Sequence, residues 1–108
     1  MKINKIGKWK VSILETGEFW LDGGAMMGSV PKVLWEKTNP PDRYNRIRLS
    51  MRCLLLDDGE SIVLIETGIG DKCSDKFIKM FNIKQRKHAL SNTLSDCGYT
   101  LENITHVI

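Results

Sequence analysis

Two histidines, three cysteines and one carboxylate heading a glycine-rich turn are the residues of this 108-residue chain whose types could do chemistry. A zinc site needs several His, Cys or carboxylate groups within bonding distance, usually two of them close in sequence. Neither histidine has such a neighbour. His88 stands in a polar, lysine-rich stretch and reads as a solvated helix residue, and His106, between Thr105 and Val107, reads as a hydrogen-bonded structural histidine on a strand. Cys53, Cys73 and Cys97 lie far apart with no C-x-x-C spacing. That disfavours a disulfide framework and a zinc knuckle, and favours a reducing, cytoplasmic setting. Cys53 and Cys97 fall on apolar faces and read as core, while Cys73 sits in a loop beside Lys72 without the surroundings of a catalytic thiol. Glu66-Thr67-Gly68-Ile69-Gly70 sets a carboxylate at the end of an apolar run, a common place for a functional group. The plainer alternative is that Glu66 leaves the sheet for water while the glycines permit the turn. No nucleophile elbow, P-loop or dinucleotide fingerprint is present.

The elements that must position these residues are strands first and helices later. Trp9, Val11 and Ile13 alternate with lysines and serine, predicting a strand with one apolar face. Glu15 to Glu18 reads as a turn, after which Phe19 to Leu21 pairs back as a short strand that Asp22-Gly23-Gly24 breaks. Residues 25–45 hold Gly28, Pro31, Pro40 and Pro41 among apolar residues and read as an ordered loop with one helical turn around Val33 to Trp35. Leu49, Met51, Cys53 and Leu55 alternate with polar residues as a second strand, Asp57 to Glu60 is a hairpin turn, and Ser61 to Ile65 is a central strand covered on both faces. Ser74 caps a short helix carrying Phe77, Met80 and Phe81, and Leu90, Leu94 and Cys97 share a second helix that Gly98 ends. Tyr99 to Asn103 is a turn before a last apolar strand, Ile104 to Ile108.

Composition bounds the rest. With 42% apolar and 27% charged residues the chain belongs among folded globular sequences and holds one modest domain. Its net charge of +3 is spread along the chain rather than gathered into a block, so no nucleic-acid partner is expected. The lysine-bearing start has no continuous apolar stretch, so neither a signal peptide nor a membrane contact is expected.

Three segments carry a family resemblance. Ser61 to Gly70, S-I-V-L-I-E-T-G-I-G, resembles the strand and turn that introduce the metallo-β-lactamase fold, where an aspartate-threonine-glycine motif follows a buried strand. Ile104 to Ile108, I-T-H-V-I, resembles the strand leading into that family's zinc motif, threonine-His-x-His-x-Asp-His. Asp22 to Trp35 resembles a loop of its lactonase-like branch. They occur in family order and at family-like separations, and cover nearly the whole chain.

The resemblance implies an α+β fold, the first half of an αββα sandwich, with mainly antiparallel strands followed by two helices. Residues 1–108 would then be a partial domain that stops before the zinc-binding motif. It implies a small-molecule substrate and zinc for the complete enzyme, the metal activating a water against a lactone, ester or amide carbonyl. It carries over Met26, Met27 and Gly28 as lining of the substrate entrance and Glu66 as a carboxylate that orients the metal ligands; the alternatives are a loop packed on the core and a surface carboxylate. Two departures stand out. Glu66 replaces the family's aspartate, moving its oxygens by over about one ångström, and every expected metal ligand lies beyond Ile108, so the chain alone is expected to be inactive and to hold no cofactor. A half-sandwich would leave a sheet face open for self-association. Two other readings remain: a small interaction module that pairs through a sheet edge, and a gene remnant without function.

Overall fold

The computed structural model describes residues 3–108. It is a mixed α+β structure on a five-stranded sheet whose strands lie in chain order: β1 (Lys5–Ile6), β2 (Trp9–Asp22), β3 (Arg46–Asp57), β4 (Ile62–Ile65) and β5 (His106–Val107). Neighbours are antiparallel except β4 and β5, which run parallel. A parallel pair cannot be joined by a hairpin and needs a crossover. Residues 66–105 supply it, carrying the helices α3 (Asp75–Met80) and α4 (Ala89–Asp96) and a tight turn at Leu101–Asn103. Two further short helices, α1 (Gly23–Met27) and α2 (Lys32–Trp35), fill the connection between β2 and β3. No described helix is long and apolar enough to cross a membrane.

The expected turn at Glu15 to Glu18 does not form. Those residues lie inside β2, and the register against β3 shifts between Glu15 and Gly17, leaving Thr16 as an inserted residue. Thr16 is buried, and its hydroxyl donates to the Met51 carbonyl at 3.0 Å, so the extra residue is anchored where it would otherwise loop out. Gly17 is required by close approach rather than by turning: a Cβ there would stand 2.6 Å from the Lys84 carbonyl oxygen and 2.8 Å from Met51 Cε. Phe19 to Leu21 therefore continues β2 opposite Ile47 to Leu49 instead of folding back on the first strand.

The same pairing decides which residues face inward. Leu14 stands opposite Cys53 and Ser12 opposite Leu55, so Leu14 is fully buried while Ile13, expected inside, is 54% exposed. The core joins Leu14, Cys53, Leu55 and Leu64 of the sheet to Leu94 of α4 and Tyr99, with Leu90, Cys97 and Ile104 packed around it. Cys97 is half-buried rather than wholly inside. The other sheet face carries Ile13 together with the half-buried Leu54, Leu56, Val63 and Ile65, so β4 is covered on one face, not on both.

Local sequence explains the other elements. Asp22 ends β2, as expected, but also caps α1 by accepting the Ala25 N–H at 2.8 Å, so a helical turn begins where an irregular loop was expected. Gly23 is needed there because a Cβ would meet the Trp35 ring at 2.3 Å. Ser74 caps α3 through the Phe77 N–H, and the Phe77 and Phe81 rings pack 4.7 Å apart, although α3 buries none of its residues. His88 precedes α4 in the left-handed region, φ 51°, so it introduces the helix rather than riding on it.

The β3–β4 hairpin is held by aspartates. Asp58 accepts the Glu60 and Ser61 N–H groups at 2.9 and 2.7 Å, which lowers its pKa to about 2. The Tyr99 hydroxyl donates to Asp57 Oδ2 at 2.7 Å, tying the segment after α4 to the end of β3. That bond is the leading cause both of the lowered Asp57 pKa and of the Tyr99 pKa raised to about 12.

Both shifts predict pH limits. The Asp57 contribution is present above the ordinary carboxylate value of 3.8 and is lost as pH falls through the lower folded value. The Tyr99 contribution is complete below 10.0 and is lost as pH rises through about 12. Tyr99→Phe should therefore lower the thermal midpoint between those limits and weaken its dependence on pH at both ends. Leu94→Ala, at a site with no exposure, should cost about 3 kcal/mol in chemical denaturation, and a loss under about 1 kcal/mol would mean that α4 does not close the core.

Candidate functional site

The carboxyl ends of the parallel strands meet beside the glycine-rich turn. Thr105 N–H donates to Ile62 O at 2.8 Å, Ile108 N–H to Leu64 O at 2.9 Å, and Glu66 N–H back to Ile108 O at 2.9 Å. The ladder thus brings Glu66 and the end of the described chain side by side, at the kind of place where parallel strands present functional groups. Glu66 is exposed and left-handed, φ 70°, and its Oε1 accepts the N–H of Thr67 at 3.0 Å.

The turn after Glu66 is fixed at three further points. Gly68, φ 75°, lies against the inserted Thr16, whose Oγ1 would stand 3.3 Å from a Cβ at that position. Gly70 accepts from Gln85 Nε2 at 2.6 Å. Asp71 takes the main-chain N–H of His88 on Oδ1 and faces His88 Nδ1 with Oδ2, each at 3.2 Å. His88 is therefore a surface histidine with a specific carboxylate partner. In the sequence the only signal of Asp71 is its place directly after the glycine-rich turn. A cleft of about 200 Å³ lies between this turn and the start of α4, lined by Thr16, Thr67, Asp71, Gln85, His88 and Ser91 among others. On the other side Glu66 lines a more open hollow of about 390 Å³ with Phe19, Met51 and Arg52.

The remaining candidates are dispersed. Cys53 is buried and its thiol pKa is raised, first by desolvation and then by the Glu66 charge, so it stays protonated as a core residue. Cys73 is half-buried, its sulfur 3.9 Å from the Ile69 carbonyl. His106 is exposed, with Nδ1 2.8 Å from Thr105 Oγ1. Met26 and Met27 end α1, with Met26 47% exposed, and Gly28 is its C-cap at φ 58°. They follow the Asp22–Arg46 end of the β2–β3 ladder, five residues of β2 beyond the Gly17–Met51 pair that borders the Glu66 turn, roughly 17 Å along the strand. They line neither of the two hollows beside Glu66.

Among the described residues no three His, Cys, Asp or Glu side chains gather closely enough to hold a metal ion. Among the described residues Glu66 is the one carboxylate directly following β4 or β5, and the two histidines are engaged with Asp71 and Thr105. The side chains present do not make a metal site by themselves, and no reaction step through a metal follows from them.

Comparison with known proteins adds a structural likeness. No protein-family model matches the chain, and no curated protein does. The crystal structure of a probable metal-dependent hydrolase from Staphylococcus aureus superposes with a TM-score of 0.87 at 32% sequence identity, covering 95% of this chain and 37% of that one. The chain thus spans little more than a third of that neighbour's length.

Two outcomes follow from the site. Gly68→Ala, which forces a side chain into a left-handed backbone beside Thr16, should cost about 1–2 kcal/mol and speed amide exchange over residues 66–71 while the β2–β3 ladder stays protected. Purified alone, the chain should keep no stoichiometric zinc after dialysis against a mild chelator, as metal analysis would read directly.

Proposed function

We propose that this chain is the amino-terminal part of a zinc-dependent hydrolase of the metallo-β-lactamase fold, in its lactonase-like branch, acting on a lactone, ester or amide. On this reading residues 1–108 are the first half of an αββα sandwich, inactive alone, whose metal ligands are borne by residues following Ile108. The observation that carries it is the parallel pairing of β4 with β5, which sets the Glu66 amide on the Ile108 carbonyl at 2.9 Å. That pairing gives the resemblance of Ser61 to Gly70 and of Ile104 to Ile108 a common location. The likeness to a probable metal-dependent hydrolase supports the same class of activity. Glu66 acts as the outer carboxylate that orients a ligand arriving beside it. Met26, Met27 and Gly28 serve as lining of the substrate entrance, roughly 17 Å along β2 from the pair that borders the Glu66 turn.

The open sheet is compatible with a second reading, a small interaction module. Ile13 is 54% exposed amid the half-buried Leu54, Leu56, Val63 and Ile65, an apolar face that a half-sandwich would leave bare and that a module would use for self-association. Sedimentation separates the two: a monodisperse, stable dimer of this chain favours the module, and ill-defined aggregation favours the partial domain.

The leading reading is tested by extending the chain with the coding sequence that follows residue 108. A threonine-His-x-His-x-Asp-His motif should follow at once in some frame, and the extended protein should fold and take up zinc. In that protein Glu66→Asp should raise lactone turnover by about tenfold. Absence of the motif in every frame overturns the proposal. Zinc uptake with turnover unchanged or lowered by Glu66→Asp overturns only the role of Glu66.

A further inference from the structure

Charge that is dispersed along the sequence is gathered by the fold at one place. A cleft of about 620 Å³ lies between the start of β3 and α3, lined by Arg43, Tyr44, Arg46, Lys76, Lys79 and Met80 with Asn82 beside them. The two arginines and the two lysines are some thirty residues apart in sequence, and no stretch of the chain shows them as a group. We propose that this cleft is a binding site for a small organic phosphate, with the phosphoryl group held by Arg43, Lys76 and Lys79 and an apolar or aromatic body resting on Tyr44 and Met80.

Three features support that chemistry. First, Arg43, Lys76 and Lys79 form no ion pair among the described residues, so their charge is not internally neutralised. Second, the frame beneath them is built. Arg46 gives Nε to Asp42 Oδ2 at 2.8 Å and donates from its terminal nitrogen to the carbonyls of Met80 at 2.8 Å and Lys79 at 3.3 Å. Those bonds fasten the end of α3 to β3, and they cover carbonyl oxygens that would otherwise repel an anion. The guanidinium carbons of Arg43 and Arg46 lie 4.7 and 4.9 Å from the Tyr44 ring centre, which restrains Arg43 before any ligand arrives. Third, the cleft is of small-ligand size, and Tyr44 and Met80 are 57% and 53% exposed within it, an apolar surface next to the cations. A planar guanidinium and two ammonium groups suit a dianionic phosphoryl oxygen cluster. The cleft sits at the Arg46 end of β3, while Glu66 follows the residue paired with Leu54, roughly 25 Å along the strand; the proposal therefore stands independently of the hydrolase reading.

The test is titration of the protein, as the 108-residue chain where sedimentation shows it monodisperse and otherwise extended by the coding sequence that follows residue 108, with phenyl phosphate at low ionic strength, read by amide NMR shifts, with the same spectra reporting whether each variant is folded. Saturable shifts confined to residues 43–46 and 76–82 are expected. The dissociation constant should rise at least about tenfold in K76Q/K79Q and again in the loop variant R43Q, the scale of losing a charge-assisted contact, and stay unchanged in K5Q/K37Q. Inorganic phosphate should bind more weakly than phenyl phosphate, and phenol should not bind. The proposal is overturned by the absence of saturable shifts, by equal weakening in K5Q/K37Q, or by inorganic phosphate binding as tightly. Tight binding of a single-stranded oligonucleotide with phenyl phosphate inert would overturn it in favour of a nucleic-acid surface. If K76Q/K79Q does not fold, R43Q decides alone.

Discussion

The pairing of β2 with β3, interrupted once at Thr16, is the constraint on which the rest of the molecule depends. It sets Leu14 against Cys53 on the inner face, and it turns the Thr16 hydroxyl onto the Met51 carbonyl. A one-residue difference in register would exchange the two faces of β2. The core would then receive Ile13, and the side against which α4 packs would lose its Leu14 contact. The inserted residue absorbs that difference midway, so both ends of a 14-residue strand can present the correct face to different neighbours.

The same insertion reaches the candidate site. Thr16 supports Gly68, Gly17 leaves room for the Lys84 carbonyl, and residues 84 and 85 in turn hold β2 and the Gly70 carbonyl. The turn that carries Glu66 is therefore held by β2, β5 and the segment before α4 together. That arrangement holds Glu66 in a backbone conformation that a residue other than glycine adopts only under constraint.

Charge follows a similar logic at the other end of the sheet. Arg46 joins β3 to the last carbonyls of α3 while Asp42 neutralises it, and Arg43, Lys76 and Lys79 stand around Tyr44 with no acidic partner among the described residues. A mild excess of lysine and arginine that serves solubility elsewhere becomes a local electrostatic feature there because two distant segments fold together.

Much of this was legible in residue order. The alternation of Met51, Cys53 and Leu55, the Asp58-Gly59 hairpin, the Ser74 cap and the stop at Gly98 each rest on interactions within a few residues, so local chemistry was enough to place them. The α+β class and the strand that ends at Ile65, just before Glu66, followed from the same signals. Glu15-Thr16-Gly17-Glu18 was misleading because its turn-forming residues serve long-range needs: a threonine anchored on a strand 35 positions away, and a glycine that admits another backbone. Asp71 beside His88, the four cations around Tyr44 and the open face around Ile13 could not be read in advance for the same physical reason. Local propensity says which residues extend or coil, but which faces touch, and which charges are left without partners, is decided only when strands far apart in sequence settle into register.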